Sequence, residues 1–397
     1  MIELKDIEEA DARIAAFITR TPFLPSRVLS RLTGAHVHIK FENLQFTGSF
    51  KDRGALNKLS SLPQEALKAG VCAMSAGNHA QGVAWTAKRM GARAVIVMPN
   101  ATPLTKVENT RAHGAEVILA GETLDEAAAE AHRIQRERGL IFIHPYDDPL
   151  IAAGQGTVGL EIARSGVPLD SVICPVGGGG LISGVATAIK ALCPGVEVYG
   201  VQCASYPTFV RGATPHESGV TIADGIAVKS PGAFTSQVIA ARVDDVFAVG
   251  ERWIEEAVAL LINIEKTVAE GAGAAPLALL LSDRERFKGK RVALVLSGGN
   301  IDARLLSSLL VRELVREKKI VTLRIAVADQ PGFLARAAAV IADAGANVIE
   351  VHHFRSLLSL PARQAAMEMT LEARGAEHAE EILRRLNEAG YQAAFAD

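Results

Sequence analysis

Residues 36–55 read HVHIKFENLQFTGSFKDRGA, and the change of rhythm inside this stretch decides the fold. HVHIKFE has the β-branched and apolar content of a strand, NLQFTGS is a turn-prone loop, and KDRGA opens a helical run. A strand passing through a glycine turn into a helix is half of a βαβ unit. The unit recurs outward. From residue 36 to about 145, VCAMSA, ARAVIVMP, AEVILAG and LIFIHP alternate with helical stretches such as HAQGVAWTAKRMG and TLDEAAAEAHRIQRERG, the pattern of a parallel sheet flanked by helices. A second α/β set follows, with strands SVICPV, VEVYGVQ and RVALVLSGG and helices near 181–192, 251–263 and 302–316. The expected architecture is a two-lobed α/β region over residues 1–313. Its smaller lobe, about 40–145, is inserted in the larger, and ligands gather at the C-terminal ends of the strands.

The stretch LVREKK, residues 314–319, reads as a linker, and a different module occupies 320–397. TLRIAVA alternates as a half-buried strand, DQPG (329–332) makes a turn, FLARAAAVIADAG is an amphipathic helix, and NVIEVHHF returns as a strand. ARQAAMEMTLEA, AEHAEEILRRLNEAG and YQAAF complete a βαββαβ order, that of a ferredoxin-like sandwich.

Composition narrows the function. Lys and Arg number 42 against 44 Asp and Glu, so no basic excess exists to hold a phosphate backbone, and nucleic acid is not an expected partner. The N-terminus MIELKDIEEADARI carries acids where a signal peptide needs an apolar core, and apolar runs such as LALLL (277–281) are too short to span a bilayer. A cytoplasmic protein with no membrane partner is expected. Four cysteines, at 72, 174, 193 and 203, lack CxxC pairing, so neither disulfides nor a structural metal is expected. His352 and His353 would point to opposite faces of a strand and share no ion.

Lys51 is the first chemical candidate. A lysine there is ordinarily a solvated charge. Ser49 followed by Asp52, however, resembles a capping pattern that puts Lys51 in the first helical turn, where the positive helix end disfavours an ammonium and favours a nucleophilic amine. In CPVGGGGLISGVATAIKAL (174–192), four glycines between strand and helix can turn backbone N–H groups toward an anion, and no GK[ST] follows to make a nucleotide loop. SAGNHAQG (75–82) offers Ser75, the amides near Gly77, and Asn78 as donors for a carboxylate or hydroxyl, while His79 reads equally as a core or cap residue. In VLSGGN (295–300), Ser297 ends a strand at the same sheet edge.

In chain order, ENLQFTGSFKDRGA, SAGNHAQG, HPYDDPLIAAGQGT, PVGGGGLISG, DGIAVKSPG, EGAGA and LSGGNID together resemble the fold type II, or β-family, pyridoxal-phosphate enzymes, most closely the threonine and serine dehydratases. The resemblance implies pyridoxal 5'-phosphate as cofactor. Lys51 would hold it covalently with Phe50 beside its ring. Gly177, Gly178, Gly179, Gly180 and Leu181 would bind its phosphate, Asn78 its ring hydroxyl, and Ser297 would face the pyridine nitrogen. Ser75, Ala76, Gly77, Asn78 and His79 would bind the substrate, with Lys51 and Ser75 as catalytic residues. The implied reaction is dehydration and deamination of L-threonine, and of L-serine, to 2-oxobutanoate or pyruvate and ammonia. Serine racemase or hydroxyaspartate dehydratase activity and a non-catalytic amino-acid sensor are the alternatives. Racemases of this family carry a second serine where this chain has Ala76, and an acidic metal ligand near YGVQCAS, where Gln202 is neutral; no metal site is carried over. The C-terminal module resembles an ACT domain, with DQPG as its loop signature and Asn347 at the usual ligand edge. It implies an amino-acid effector and a homodimer or homotetramer.

Overall fold

The computed structural model describes residues 1–213, 219–328, 330–354 and 364–396. They form two compact units, Met1–Asp302 and Ala303–Asp397. The expected linker begins inside a helix, Ala303–Arg316, so residues 314–316 continue that helix.

The strands of the first unit are β1 (Phe23–Pro25), β2 (His36–Phe41), β3 (Val71–Met74), β4 (Ala94–Met98), β5 (Glu116–Leu119), β6 (Ile141–Phe142), β7 (Ser171–Pro175), β8 (Glu197–Cys203), β9 (Asp245–Val249) and β10 (Arg291–Leu296). They make two sheets. The larger has the order β1-β2-β10-β7-β8-β9 and the smaller β5-β4-β3-β6. Every pairing is parallel except β1 with β2. Central strands such as β4 and β7 are buried along their whole length, as expected of a parallel sheet covered on both faces.

One expectation is corrected. HVHIKFE reads as one of the strands leading into the smaller lobe, but β2 pairs with β10, Val37 opposite Val292. An apolar run declares a strand without naming its neighbour, and this neighbour lies far along the chain. The smaller sheet is inserted after β2 and closes before β7.

Beneath β2 lies a buried charge cluster. Arg53 donates from Nε and Nη2 to Glu42 at 2.7 Å each, and from Nη1 to Glu161 at 2.7 Å and the Thr157 hydroxyl at 3.0 Å. Lys40 donates to Glu161 and to the Thr21 carbonyl. Two cations thus face two carboxylates with little water, the only arrangement in which such burial is tolerable. The cluster ties β2 to the helices Lys51–Ser60 and Pro149–Ala163.

The second unit contains β11 (Ile320–Ala328), β12 (Asn347–Phe354), β13 (Gln364–Glu372) and β14 (Gln392–Phe395), in the antiparallel order β12-β13-β11-β14. With helices Phe333–Asp343 and Ala376–Glu388 this is the expected βαββαβ sandwich. Leu323, Ile325, Met367, Met369, Ile382 and Leu386 fill its core. Asn347 opens the edge strand β12. Of the DQPG signature, Asp329 lies outside the described residues.

Candidate active site

Lys51 is the first residue of its helix. The chain reaches it through Gly48, whose φ of 76° and whose approach to Asn300, where a Cβ would come within 2.7 Å of the amide oxygen, leave room for no side chain. The expected Ser49 cap is not formed. Phe50 occupies the cap position without a side-chain bond. Asp52 instead accepts from the Thr47 N–H at 2.9 Å and from the Thr47 hydroxyl, tying the loop shut from inside. Ser49 Oγ is buried without a partner among the described residues.

The Lys51 amine is mostly buried. It donates to the Pro145 carbonyl at 2.7 Å and stands 5.2 Å from the centroid of the Phe50 ring. Burial lowers its pKa to about 8, partly opposed by the Glu270 carboxylate. The helix end was the expected cause; desolvation is the larger one. No carboxylate pairs with this amine within ion-pair distance among the described residues.

The glycine bend follows β7 and opens the helix Gly180–Leu192, with Gly179 at φ 93°. A Cβ on Gly178 would lie 2.3 Å from the Tyr146 ring, and one on Gly177 would lie 2.8 Å from the Gly225 carbonyl. The Thr235 hydroxyl donates to the Gly178 carbonyl at 2.7 Å. Glycine is therefore required by close approach as well as by torsion. Pro145 and Tyr146 are consecutive, so the residue beside the one that accepts from Lys51 packs its ring on the bend. This brings the lysine and the bend into one site. Leu181 is buried in the core behind it.

Past β3, Ser75 Oγ accepts from the Gly77 N–H at 3.1 Å, and Asn78 starts the helix Asn78–Arg89. Its first amides have no side-chain cap, which suits an anion. His79 does not join them with its ring. Buried and brought down to about 3 by desolvation, the neutral imidazole donates from Nε2 to the Ile143 carbonyl at 2.9 Å. Ser297 follows β10, and its carbonyl accepts from Phe50 N–H at 3.0 Å. A bridge between Ser49 and Gly298 puts the lysine loop and the SGGN loop side by side.

Glu270 was passed over. Its carboxylate accepts from Asn78 Nδ2 at 2.6 Å, and burial raises its pKa to about 7. The signal was present in EGAGA, read only as part of a pattern. Lys106 on the smaller lobe meets Asp224 on the larger at 2.9 Å, and both bear on Glu270. The Gln202 amide, near the end of β8, is spent on the loop that follows, donating to the Thr208 hydroxyl and accepting from the Phe209 N–H.

Residues 14–298 match the family of pyridoxal-phosphate dependent enzymes. The chain belongs to that family. Residues 321–390 match the ACT domain. As a pyridoxal-phosphate dependent enzyme it is similar over its whole length to two curated relatives. It is 46% identical over 397 residues to an L-threonine ammonia-lyase of Thermotoga maritima, covering 99% of both chains. It is 44% identical over 390 residues to one of Geobacter sulfurreducens, covering 97% of each. Among solved structures, a T.th. threonine deaminase aligns with TM-score 0.71 at 43% identity, covering 76% of this chain and 99% of that one. Maize serine racemase aligns with TM-score 0.74 at 34% identity, covering 80% and 99%.

The residues fit the coenzyme. An amine buried with no ion pair among the described residues, a Ser49 hydroxyl buried with no partner among them, and a bend where a Cβ would collide are what an aldehyde with a phosphate tail would use. In this pyridoxal-phosphate dependent enzyme, Lys51, the bend Gly177–Gly180 with Leu181, Asn78 and Ser297 are the residues that the sequence leads one to expect would hold it.

Proposed function

We propose that the chain converts L-threonine, and more slowly L-serine, to a 2-oxo acid and ammonia. The observation that carries the reading is the Lys51 amine on Pro145, one residue from the ring that packs against the glycine bend. The full-length similarity to L-threonine ammonia-lyases gives the reaction class.

Bound pyridoxal phosphate supplies an electron sink that acidifies the α-hydrogen of a joined amino acid. The chain's own residues do the rest. The amides at Gly77 to His79, with Ser75, hold the substrate carboxylate at a helix N-terminus. Lys51, uncharged at little cost, takes the α-proton through Nζ, and the Pro145 carbonyl holds the resulting ammonium in line. Ser297 would offer the bound coenzyme a neutral hydroxyl where a carboxylate would hold a proton, which would favour loss of the β-hydroxyl. The β-hydroxyl leaves as water with a proton that balances the one Lys51 took, and the free enamine then adds water and loses ammonia to give 2-oxobutanoate.

A second reading is supported by the maize serine racemase likeness. Ala76 argues against it, since a methyl group cannot deliver a proton from the opposite face. A non-catalytic sensor is disfavoured on other grounds, since it has no use for the buried Lys51 amine or the glycine bend. Incubation with L-threonine, L-serine and 3-hydroxyaspartate, followed for 2-oxo acid, ammonia and chirality, tests the reading. Oxo acid and ammonia in equal amounts are expected, with threonine fastest; inversion without oxo acid would replace it with racemisation.

The reading extends to an amino-acid effector at the ACT domain, a homodimer or homotetramer, and a cytoplasmic location. β12 is an edge strand with Ile349 exposed, suited to further pairing between copies. No helix among the described residues is long and apolar enough to cross a membrane.

A further inference from the structure

Asn78 sits in a chain of hydrogen bonds whose direction is forced from one end. Asn300 Nδ2 donates to the Thr47 carbonyl at 2.7 Å. That acceptor is a backbone oxygen, so the nitrogen of the Asn300 amide must face it. The other hydrogen on the same nitrogen goes to Asn78 Oδ1 at 2.8 Å, so Asn78 must present its oxygen there. The Asn78 nitrogen is left facing Glu270 Oε1, to which it donates at 2.6 Å. An amide that could otherwise flip is held in one orientation, by a donor on its oxygen and an acceptor on its nitrogen.

Glu270 is itself fixed. Its backbone N–H donates to the Gly298 carbonyl at 3.1 Å, and a Cβ on Gly298 would come within 2.5 Å of Glu270 Oε1, so SGGN is cut back to let the carboxylate reach Asn78. One hydrogen on Asn78 Nδ2 has no partner among the described residues.

We propose that Glu270 is a positioning residue which, through Asn78, turns that remaining amide hydrogen toward the ring hydroxyl oxygen of the coenzyme. The proposal rests on the reading of Asn78 as the residue facing that oxygen. Glu270 touches no reacting atom; it fixes which end of the Asn78 amide the coenzyme meets. A Gln at 270 can still accept from Asn78 through its own oxygen, whereas an Ala cannot.

The charged and titratable groups that face the Glu270 carboxyl are Lys51, Lys106 and Asp224, from three different elements. The carboxyl titrates near neutrality because burial raises it to about 7. Loss of its proton adds negative charge beside the Asn78 donor and alters how strongly that donor polarises the ring oxygen.

The experiment measures pyridoxal phosphate binding to full-length apoprotein without any amino acid present, as a dissociation constant and as the visible band against pH. Glu270→Ala is expected to weaken binding about tenfold, the loss of one buried hydrogen-bonded orientation, and Glu270→Gln to stay within about twofold, since its oxygen still accepts from Asn78. Asn78→Ala should weaken binding as Glu270→Ala does, and the double variant no further, because the carboxylate acts only through the amide. The wild-type band should shift with pH near 7, and Glu270→Gln, which keeps the shape of the side chain and so the fold, should abolish the shift. Full additivity of the two alanine variants, or a band whose pH response survives in Glu270→Gln, overturns the proposal. Because no substrate is used, that failure leaves threonine turnover by the unaltered chain as a separate result.

Discussion

Among the described residues Lys51 has no ion-pair partner, and burial makes its proton easy to lose. Its folded-state pKa of about 8 lies below the 10.5 of an exposed lysine, so between these values the unfolded chain binds more protons than the folded one. The apoprotein should therefore gain stability from this group as pH rises from about 8 to 10.5, and carry its full cost below 8. The same amine must be neutral to attack an aldehyde. Capture of pyridoxal phosphate by apoprotein should accelerate with pH through a midpoint near 8, read by stopped-flow absorbance; a rate flat from pH 6.5 to 9 would contradict the depressed amine. Ala76 carries the second prediction. Ala76→Ser should raise serine racemisation measurably in a chiral assay while threonine elimination persists, and an unchanged enantiomer ratio would remove Ala76 as the reason for elimination. Lys51 was legible because its neighbours are local in sequence. Its environment was not, since Pro145 and Glu270 arrive from distant segments. His79 shows the same limit: one imidazole in a motif does not declare whether it faces substrate or, as here, a backbone carbonyl.

At the scale of elements, the site hangs on the helix Lys51–Ser60, and that helix hangs on the buried cluster around Arg53. The Glu42 carboxylate keeps its charge because Arg53 and Lys40 outweigh its burial, and Arg53 is held protonated in return. Arg53→Met would leave two buried carboxylates to one lysine and should cost about 3–5 kcal/mol in urea unfolding; a loss under about 1 kcal/mol would mean that water reaches the cluster. Sequence rhythm shows most of the strands and the helices that open at Asn78 and Gly180, but it marks no helix over Pro149–Ala163 or Gly271–Ser282, whose apolar and glycine-rich residues lack a polar face. It assigned β2 to the wrong sheet because partner choice is a long-range matter, and it passed over the three-residue β1 and β9, which opens on an aspartate, a residue that strands disfavour. The Ser49 cap failed for a related reason. Capping residues are recognised by spacing, but Asp52 found a nearer pair of donors in Thr47.

At the scale of the whole molecule, the two units were legible from the switch between parallel α/β rhythm and the βαββαβ order, and only the join was misread, because its charged residues continue a helix. The first unit corresponds to nearly the full length of the T.th. threonine deaminase, which covers 76% of this chain, so it should fold without the second. A chain ending at Glu317 should keep its coenzyme band and its threonine turnover and lose any response to isoleucine or valine; a response that persists would move the effector site out of the ACT domain. The central claim, that one amine and one glycine bend hold the coenzyme together, has a direct measurement. Full-length protein is loaded with pyridoxal phosphate, reduced with borohydride, digested and mapped by mass spectrometry. A single phosphopyridoxyl group on Lys51 is expected, and a label on any other lysine, or none, contradicts the account.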